Sequence, residues 1–155
     1  YLDIAKAEAA EAERSNIANI TMNDFSLEVV NRMNDTSITI KTVMPASGWS
    51  TNNKDMMVEN EDPDAFGAGA INFKLKDSLE GLDFYKDSFK NYQEGEDRVI
   101  GGITFKCRTY ERIGYDWIEY VAQIDDNRAL SIGLTDLDCF EGTVPDIILN
   151  SMTFQ

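Results

Sequence analysis

The chain contains no histidine, which removes the side chain that most general acid-base and zinc chemistry depends on. Histidine is the base in Ser-His-Asp and Cys-His catalysis and the commonest metal ligand in proteins. The sequence therefore excludes those hydrolases, the HExxH metalloproteases and nearly all histidine-ligated zinc sites. We predict no catalytic residue, no metal site and no cofactor, and so a protein that is not an enzyme.

Cys107 and Cys139 are the only thiols in the chain, and no CxxC spacing is present. Cys107 lies on the apolar face of a predicted strand, and Cys139 follows the end of another. The favoured interpretation is a buried free thiol and a surface free thiol. A disulfide is the alternative; it would close a loop of about 33 residues and stabilise the fold by about 3–4 kcal/mol. Spacing in the sequence does not fix the distance between the two sulfur atoms.

Acidic residues outnumber basic residues by 28 to 14, which gives a formal net charge of -14. Nucleic acids and anionic membrane surfaces both require a positive footprint, so this charge argues against either partner. Solubility accounts for most of the excess of acidic residues, and a cationic partner is an alternative.

Paired carboxylates could also serve a hydrolase, but their separation cannot be read from the sequence. Asp136, Asp138 and Glu141 lack the EF-hand pattern, so we assign no calcium site to them.

Trp49, Tyr115 and Trp117 are the predicted ligand-binding residues. Trp49 follows a turn, and Trp117 lies on the strand face opposite Ile118 and Tyr120. Aromatic side chains exposed together would form a binding patch. If helices cover both faces of the sheet, all three residues would instead belong to the core.

Residues 103–135, which include Tyr115 and Trp117, are predicted to form three consecutive antiparallel strands. Apolar and polar residues alternate with period 2 throughout the run, the pattern of strands with one buried face. Short polar turns separate the strands, so they should be neighbours in the sheet. The residues expected on the inner face are Ile103, Phe105, Cys107, Ile118, Tyr120, Ala122, Ile124, Leu130, Ile132 and Leu134.

The rest of the chain adds strands and helices around this meander. Alternating residues predict strands from Phe25, from Ile38 and from Ile71. The capping-box signature at residues 77–80 and apolar residues at helical spacing predict a helix over 77–92, with Asp77 as its N-cap, followed by a loop over 93–102. A last helix is expected after Thr143. Residues 1–20, rich in Ala, Glu and Lys, are predicted as a helical or linker segment, and residues 21–155 as a single domain.

The predicted order of strands and helices resembles that of the PsbP-like superfamily. The resemblance rests on the strand over residues 38–45 followed by Gly48-Trp49, the helix over 77–92, the hairpin over 103–124 and the closing residues 147–154, and it covers residues 25–155. It implies an α+β fold in which an antiparallel sheet is flanked by helices, an α/β/α sandwich. It also implies a binding or accessory role, as in exported bacterial lipoprotein domains, and brings no catalytic motif.

The sequence and this resemblance together predict a non-enzymatic binding or accessory module of an exported or surface-anchored bacterial protein. Its partner would be an unidentified protein or small ligand, not nucleic acid and not an anionic membrane. The first residue is Tyr1 rather than methionine, so an extracytoplasmic location, with an anchor in a removed leader, is part of the hypothesis. A carboxylate-based hydrolase and an acidic, inhibitor-like protein that binds a basic partner are the alternatives.

Overall fold

The meander forms the centre of the structure, a computed structural model that describes residues 2–52 and 55–155. The described helices are α1 (Leu2–Asn16), α2 (Leu79–Leu82) and α3 (Val144–Asn150). The described strands are β1 (Met22–Asn31), β2 (Thr36–Pro45), β3 (Ser50–Asn52), β4 (Met56–Val58), β5 (Ala70–Lys76), β6 (Lys90–Glu94), β7 (Arg98–Ile100), β8 (Ile103–Arg112), β9 (Tyr115–Asp125), β10 (Arg128–Thr135) and β11 (Thr153–Phe154). The predicted α+β class, with antiparallel sheet flanked by helices, is confirmed.

The strands form two antiparallel sheets. In the large sheet the strand order is β3-β4-β5-β10-β9-β8-β6, and β7 pairs with the first residues of β8. In the small sheet the order is β1-β2-β11. A two-residue turn at Ile113 and Gly114, both at positive φ, connects β8 to β9 and fixes their register. This register places Tyr110 opposite Trp117 and Arg108 opposite Glu119.

The core lies between the inner face of the large sheet and the layer formed by the small sheet and α3. The predicted alternation is confirmed in part. Ile103 and Cys107 on the inner face are only half-buried, and Arg108 and Glu119 on the opposite face are buried as well. Phe105 of β8 and Leu130, Ile132 and Leu134 of β10 are fully buried as expected. Burial of these side chains is the main favourable term in folding. The largest fully buried side chains include Ile38, Ile40, Met57, Ile71, Phe105, Leu130, Ile132, Leu134, Ile148 and Leu149.

The predicted helix over residues 77–92 is wrong in extent. Only Leu79–Leu82 is α-helical; a 3-10 turn, Lys86–Ser88, follows, and the chain then enters β6. Ser78, not Asp77, is the N-cap, and its side chain accepts a hydrogen bond from the backbone N–H of Gly81. Gly81 and the aromatic residues after it favour a helix only weakly, and strand pairing with β8 prevails over local propensity. The loop predicted over 93–102 likewise contains β7.

The first helix, α1, and the last helix, α3, both contact the loop of residues 136–143. The N-terminal segment is helical, and the guanidinium of Arg14 donates to the carbonyl oxygen of Glu141 at 3.0 Å. The last helix begins after Thr143 as predicted, but the Thr143 hydroxyl donates to the carbonyl oxygen of Phe140 instead of capping the helix. Asp146 accepts the backbone N–H of Gly142 at 2.8 Å.

Both cysteines are free and half-buried. The prediction of a surface thiol is wrong for Cys139, because its sulfur lies 3.5 Å from a guanidinium nitrogen of Arg98 and burial raises its pKa to about 11. Burial also raises the pKa of Cys107. Both thiols are therefore protonated and poorly nucleophilic at neutral pH.

No helix within residues 2–52 and 55–155 has both the length and the apolar character needed to cross a membrane.

Candidate functional site

The outer face of the large sheet, the face opposite the core, carries a buried ion pair. Arg108 and Glu119 are 5% and 4% exposed, and Nε of Arg108 donates to Oε1 of Glu119 at 2.7 Å. Tyr110 donates to the same oxygen at 2.9 Å, and Ser131 donates to Oε2. Burial and the charge of Glu119 raise the pKa of Tyr110, so its phenol stays protonated as a donor. With three donors on its carboxylate, Glu119 acts as a structural anchor rather than an accessible acid or base.

Arg108 also fixes the segment that crosses this face. This covering segment, residues 79–89, consists of α2 and the 3-10 turn. Arg108 pairs with Asp83 and donates to the carbonyl oxygen of Leu82 at 3.1 Å. The side chain of Leu82 is buried against Val121 and Ala129 of the sheet. Charge-assisted hydrogen bonds and apolar contact together hold the segment in place.

Aromatic rings stack from the covering segment across the sheet. The rings of Phe89 and Tyr110 are nearly parallel, with centroids 3.6 Å apart, and Tyr110 stacks on Trp117 at 5.7 Å. Trp117 in turn covers Gly133, where an added Cβ would lie 2.6 Å from Cζ3 of the indole. Only glycine therefore allows Trp117 to occupy this position.

An aromatic groove of about 270 Å³ runs along one side of Trp117. Tyr115, Trp117, Asn72 and Thr135 line it together with the loop that carries Phe66, a side chain that is 97% exposed. The amide nitrogen of Asn72 donates to the carbonyl oxygen of Gly133 at 3.0 Å and to the Thr135 hydroxyl at 3.1 Å. The groove thus combines apolar walls with a fixed polar floor, which is typical of small-molecule sites.

A smaller cavity of about 40 Å³ shares Asn72 and Trp117 with the groove. Most of its lining is apolar, and we call it the polar cavity because Lys74, Arg112 and Glu119 also border it. Lys74, Tyr85 and Arg112 also line it. The indole Nε1–H of Trp117 is buried and has no hydrogen-bond acceptor among the described residues. A buried donor without a partner is unfavourable by about 1–3 kcal/mol.

The three predicted site residues do not lie together. Tyr115 and Trp117 are half-buried and share the aromatic groove. Trp49 is 8% exposed and belongs to the core, so the prediction that it forms part of the same patch is wrong. Sequence reasoning missed Lys74 and Arg112, although period-2 alternation in β5 and β8 places both on the outer face.

An acidic cleft of about 360 Å³ lies between α1 and residues 136–145. Glu13 and Glu59 line it; burial raises the pKa of both carboxyls, and the charge of Glu13 further raises that of Glu59. Glu13 also accepts the backbone N–H of Val144, which ties α1 to the start of α3. Within the described part of the chain, no group of three or more potential ligands could hold a metal ion.

Comparison with known proteins leaves the family open. No family model matches the chain, and no curated protein matches it. A solved structure of LpqN from Mycobacterium tuberculosis, described as involved in cell envelope biogenesis, is similar with a TM-score of 0.49 and 16% sequence identity. The similarity covers 90% of this chain and 94% of LpqN. Similarity at this level does not establish a shared family or function, so the resemblance to the PsbP-like superfamily stays a prediction.

We expect Gly133→Ala to displace Trp117 and to destabilise the protein by about 1–3 kcal/mol, because the new methyl group overlaps the indole ring. Urea unfolding measures the loss. In a Trp117→Val background the same glycine substitution should cost much less, since the clash is gone. Equal losses in both backgrounds would contradict the close contact between Trp117 and Gly133.

Proposed function

We propose that this chain is a non-catalytic binding module that holds a small ligand in the aromatic groove beside Trp117. The single observation that supports this most is the pairing of Tyr115 and Trp117 in a solvent-open groove of about 270 Å³. Two adjacent aromatic side chains offer a large contact area at a small cost in conformational entropy.

The polar groups of the outer face also support binding rather than catalysis. Glu119 is enclosed by its own hydrogen-bond partners, and Asn72 is held by Gly133 and Thr135. A fixed polar floor orients a ligand without transferring a proton to it. An exported or surface-anchored bacterial setting remains part of the proposal, on the family resemblance found in the sequence.

Trp49→Phe leaves Trp117 as the only tryptophan, since the chain has two. We expect benzyl alcohol and cyclohexanol to change the Trp117 fluorescence of this variant in a saturable way, because either ring fits beside the indole. Tyr115→Ala in the same background should weaken binding about fivefold or more, as the loss of a contact aromatic does.

Phe84→Ala is the matched control, because Phe84 is 78% exposed on the covering segment and does not line the groove. This variant should bind both alcohols as the parent does. A response that does not saturate, or equal losses in the Tyr115 and Phe84 variants, would contradict the proposed groove.

A second candidate is a carboxylate-based hydrolase at the acidic cleft, favoured by the coupled Glu13 and Glu59 side chains with raised pKa values. Glycoside hydrolases use one carboxyl of raised pKa as general acid together with a second carboxylate. The hydrogen bond from Val144 to Glu13 gives this carboxylate a structural role as well. The titration of Glu59 is therefore the feature to test first.

Glu59→Gln should raise Tm by about 1–2 °C at pH 7, a small effect because the residue is exposed to solvent. Folding raises the pKa of Glu59 above its ordinary value of 4.5, so the ionised carboxylate opposes folding and protonation removes the penalty. The difference from the parent should therefore shrink as pH falls through the raised pKa of Glu59 and vanish below pH 4.5.

Glu28→Gln provides the control for this titration, since Glu28 is exposed on β1, and it should change Tm little at either pH. A destabilised Glu59→Gln variant at pH 7 would contradict the coupling between Glu13 and Glu59. Hydrolysis of glycosides by the parent chain, abolished in Glu59→Gln, would favour the hydrolase over the binding module.

A further inference from the structure

Unpaired cations gather at the polar cavity, although the chain as a whole carries a formal charge of -14. Lys74 and Arg112 line this cavity, and Lys76 is close enough to Lys74 to affect its titration. None of the three forms an ion pair with another described residue. Partial burial of its ammonium group lowers the pKa of Lys74; Glu119 opposes the shift, and Lys76, Arg112 and Arg108 add to it.

Two contacts fix the orientation of the Arg112 guanidinium. It lies over the ring of Tyr85, 4.4 Å from the centroid, and its Nε donates to the hydroxyl of Ser88 at 3.0 Å. These contacts fix the plane of the group and leave its terminal nitrogens without a carboxylate partner among the described residues. A planar guanidinium with free terminal N–H groups matches the two oxygens of a carboxylate.

The size of the cavity and its donors restrict the ligand group further. A volume of about 40 Å³ accommodates only two or three water-sized atoms. The lining supplies charged donors from Lys74 and Arg112. The carboxylate of Glu119 also lines the cavity, but its oxygens are already held by Arg108, Tyr110 and Ser131. Trp117 and Asn72 border both spaces, so the cavity adjoins the groove.

We propose that Lys74 and Arg112 bind the carboxylate of a small aromatic acid whose ring lies in the aromatic groove. This inference rests on the proposed function and names the class of ligand. The two cations provide charge complementarity to the carboxylate. Carboxylate recognition would also give the module selectivity against uncharged aromatic compounds, because an uncharged ligand leaves two partly desolvated cations unpaired.

The test compares phenylacetate with phenylacetamide, its uncharged analogue, by Trp117 fluorescence in the Trp49→Phe background. We expect phenylacetate to bind at least tenfold more tightly and its affinity to fall as salt is added. Lys74→Met should weaken phenylacetate binding about 10- to 100-fold, the range for a lost charged hydrogen bond, and leave phenylacetamide binding unchanged. Arg112→Lys keeps the charge but lacks the planar fork, so it should also weaken phenylacetate binding.

Lys41→Met is the matched control, because it removes the same charge from an exposed position on the small sheet, and it should bind phenylacetate as the parent does. Equal affinity for phenylacetate and phenylacetamide would contradict carboxylate binding by Lys74 and Arg112, but not ligand binding in the aromatic groove. Phenylacetate binding that survives Lys74→Met would also overturn it, as would preferential binding of inorganic phosphate. Binding that depends on Lys74 but not on Tyr115 would instead contradict the groove, and no binding of either compound would contradict both proposals.

Discussion

The buried pair of Arg108 and Glu119 is the constraint on which the outer face of the large sheet depends. Removing two charges from water is costly, and the cost is offset only where every polar atom has a partner. Here the partners are Tyr110 and Ser131 on the sheet and Asp83 on the covering segment. Satisfying the pair therefore fixes the ring of Tyr110, the path of residues 79–89 and, through stacking, the position of Trp117.

The two faces of the large sheet consequently have different roles. The inner face buries aliphatic side chains against the small sheet and α3, and it supplies most of the stability. Among the described residues, the outer face is covered by a four-residue helix, a 3-10 turn and, beside Trp117, the loop that carries Phe66. A full-length helix over the same residues would shield more of the surface. The incomplete cover leaves the aromatic groove and the polar cavity beside Trp117.

Much of this architecture is encoded locally and could be predicted. Alternation assigned each meander residue to its face, and a two-residue turn at residues 113 and 114 would have placed Arg108 opposite Glu119 and Tyr110 opposite Trp117. The length of α2 could not be predicted, because pairing of β6 with β8 overrides the helical spacing of the apolar residues. The groove also requires the loop that carries Phe66 and the absence of a side chain at Gly133, which no local pattern reveals.

The most direct test of this account is the indole N–H resonance of Trp117 in the double variant Arg108→Met with Glu119→Leu. Replacing both charges by apolar side chains should keep the free energy of unfolding within about 1–4 kcal/mol of the parent. The account predicts that the Trp117 resonance nevertheless shifts and that amides of residues 79–89 lose protection from hydrogen exchange. An unchanged resonance and unchanged protection in the folded double variant would contradict the claim that the buried pair positions the site.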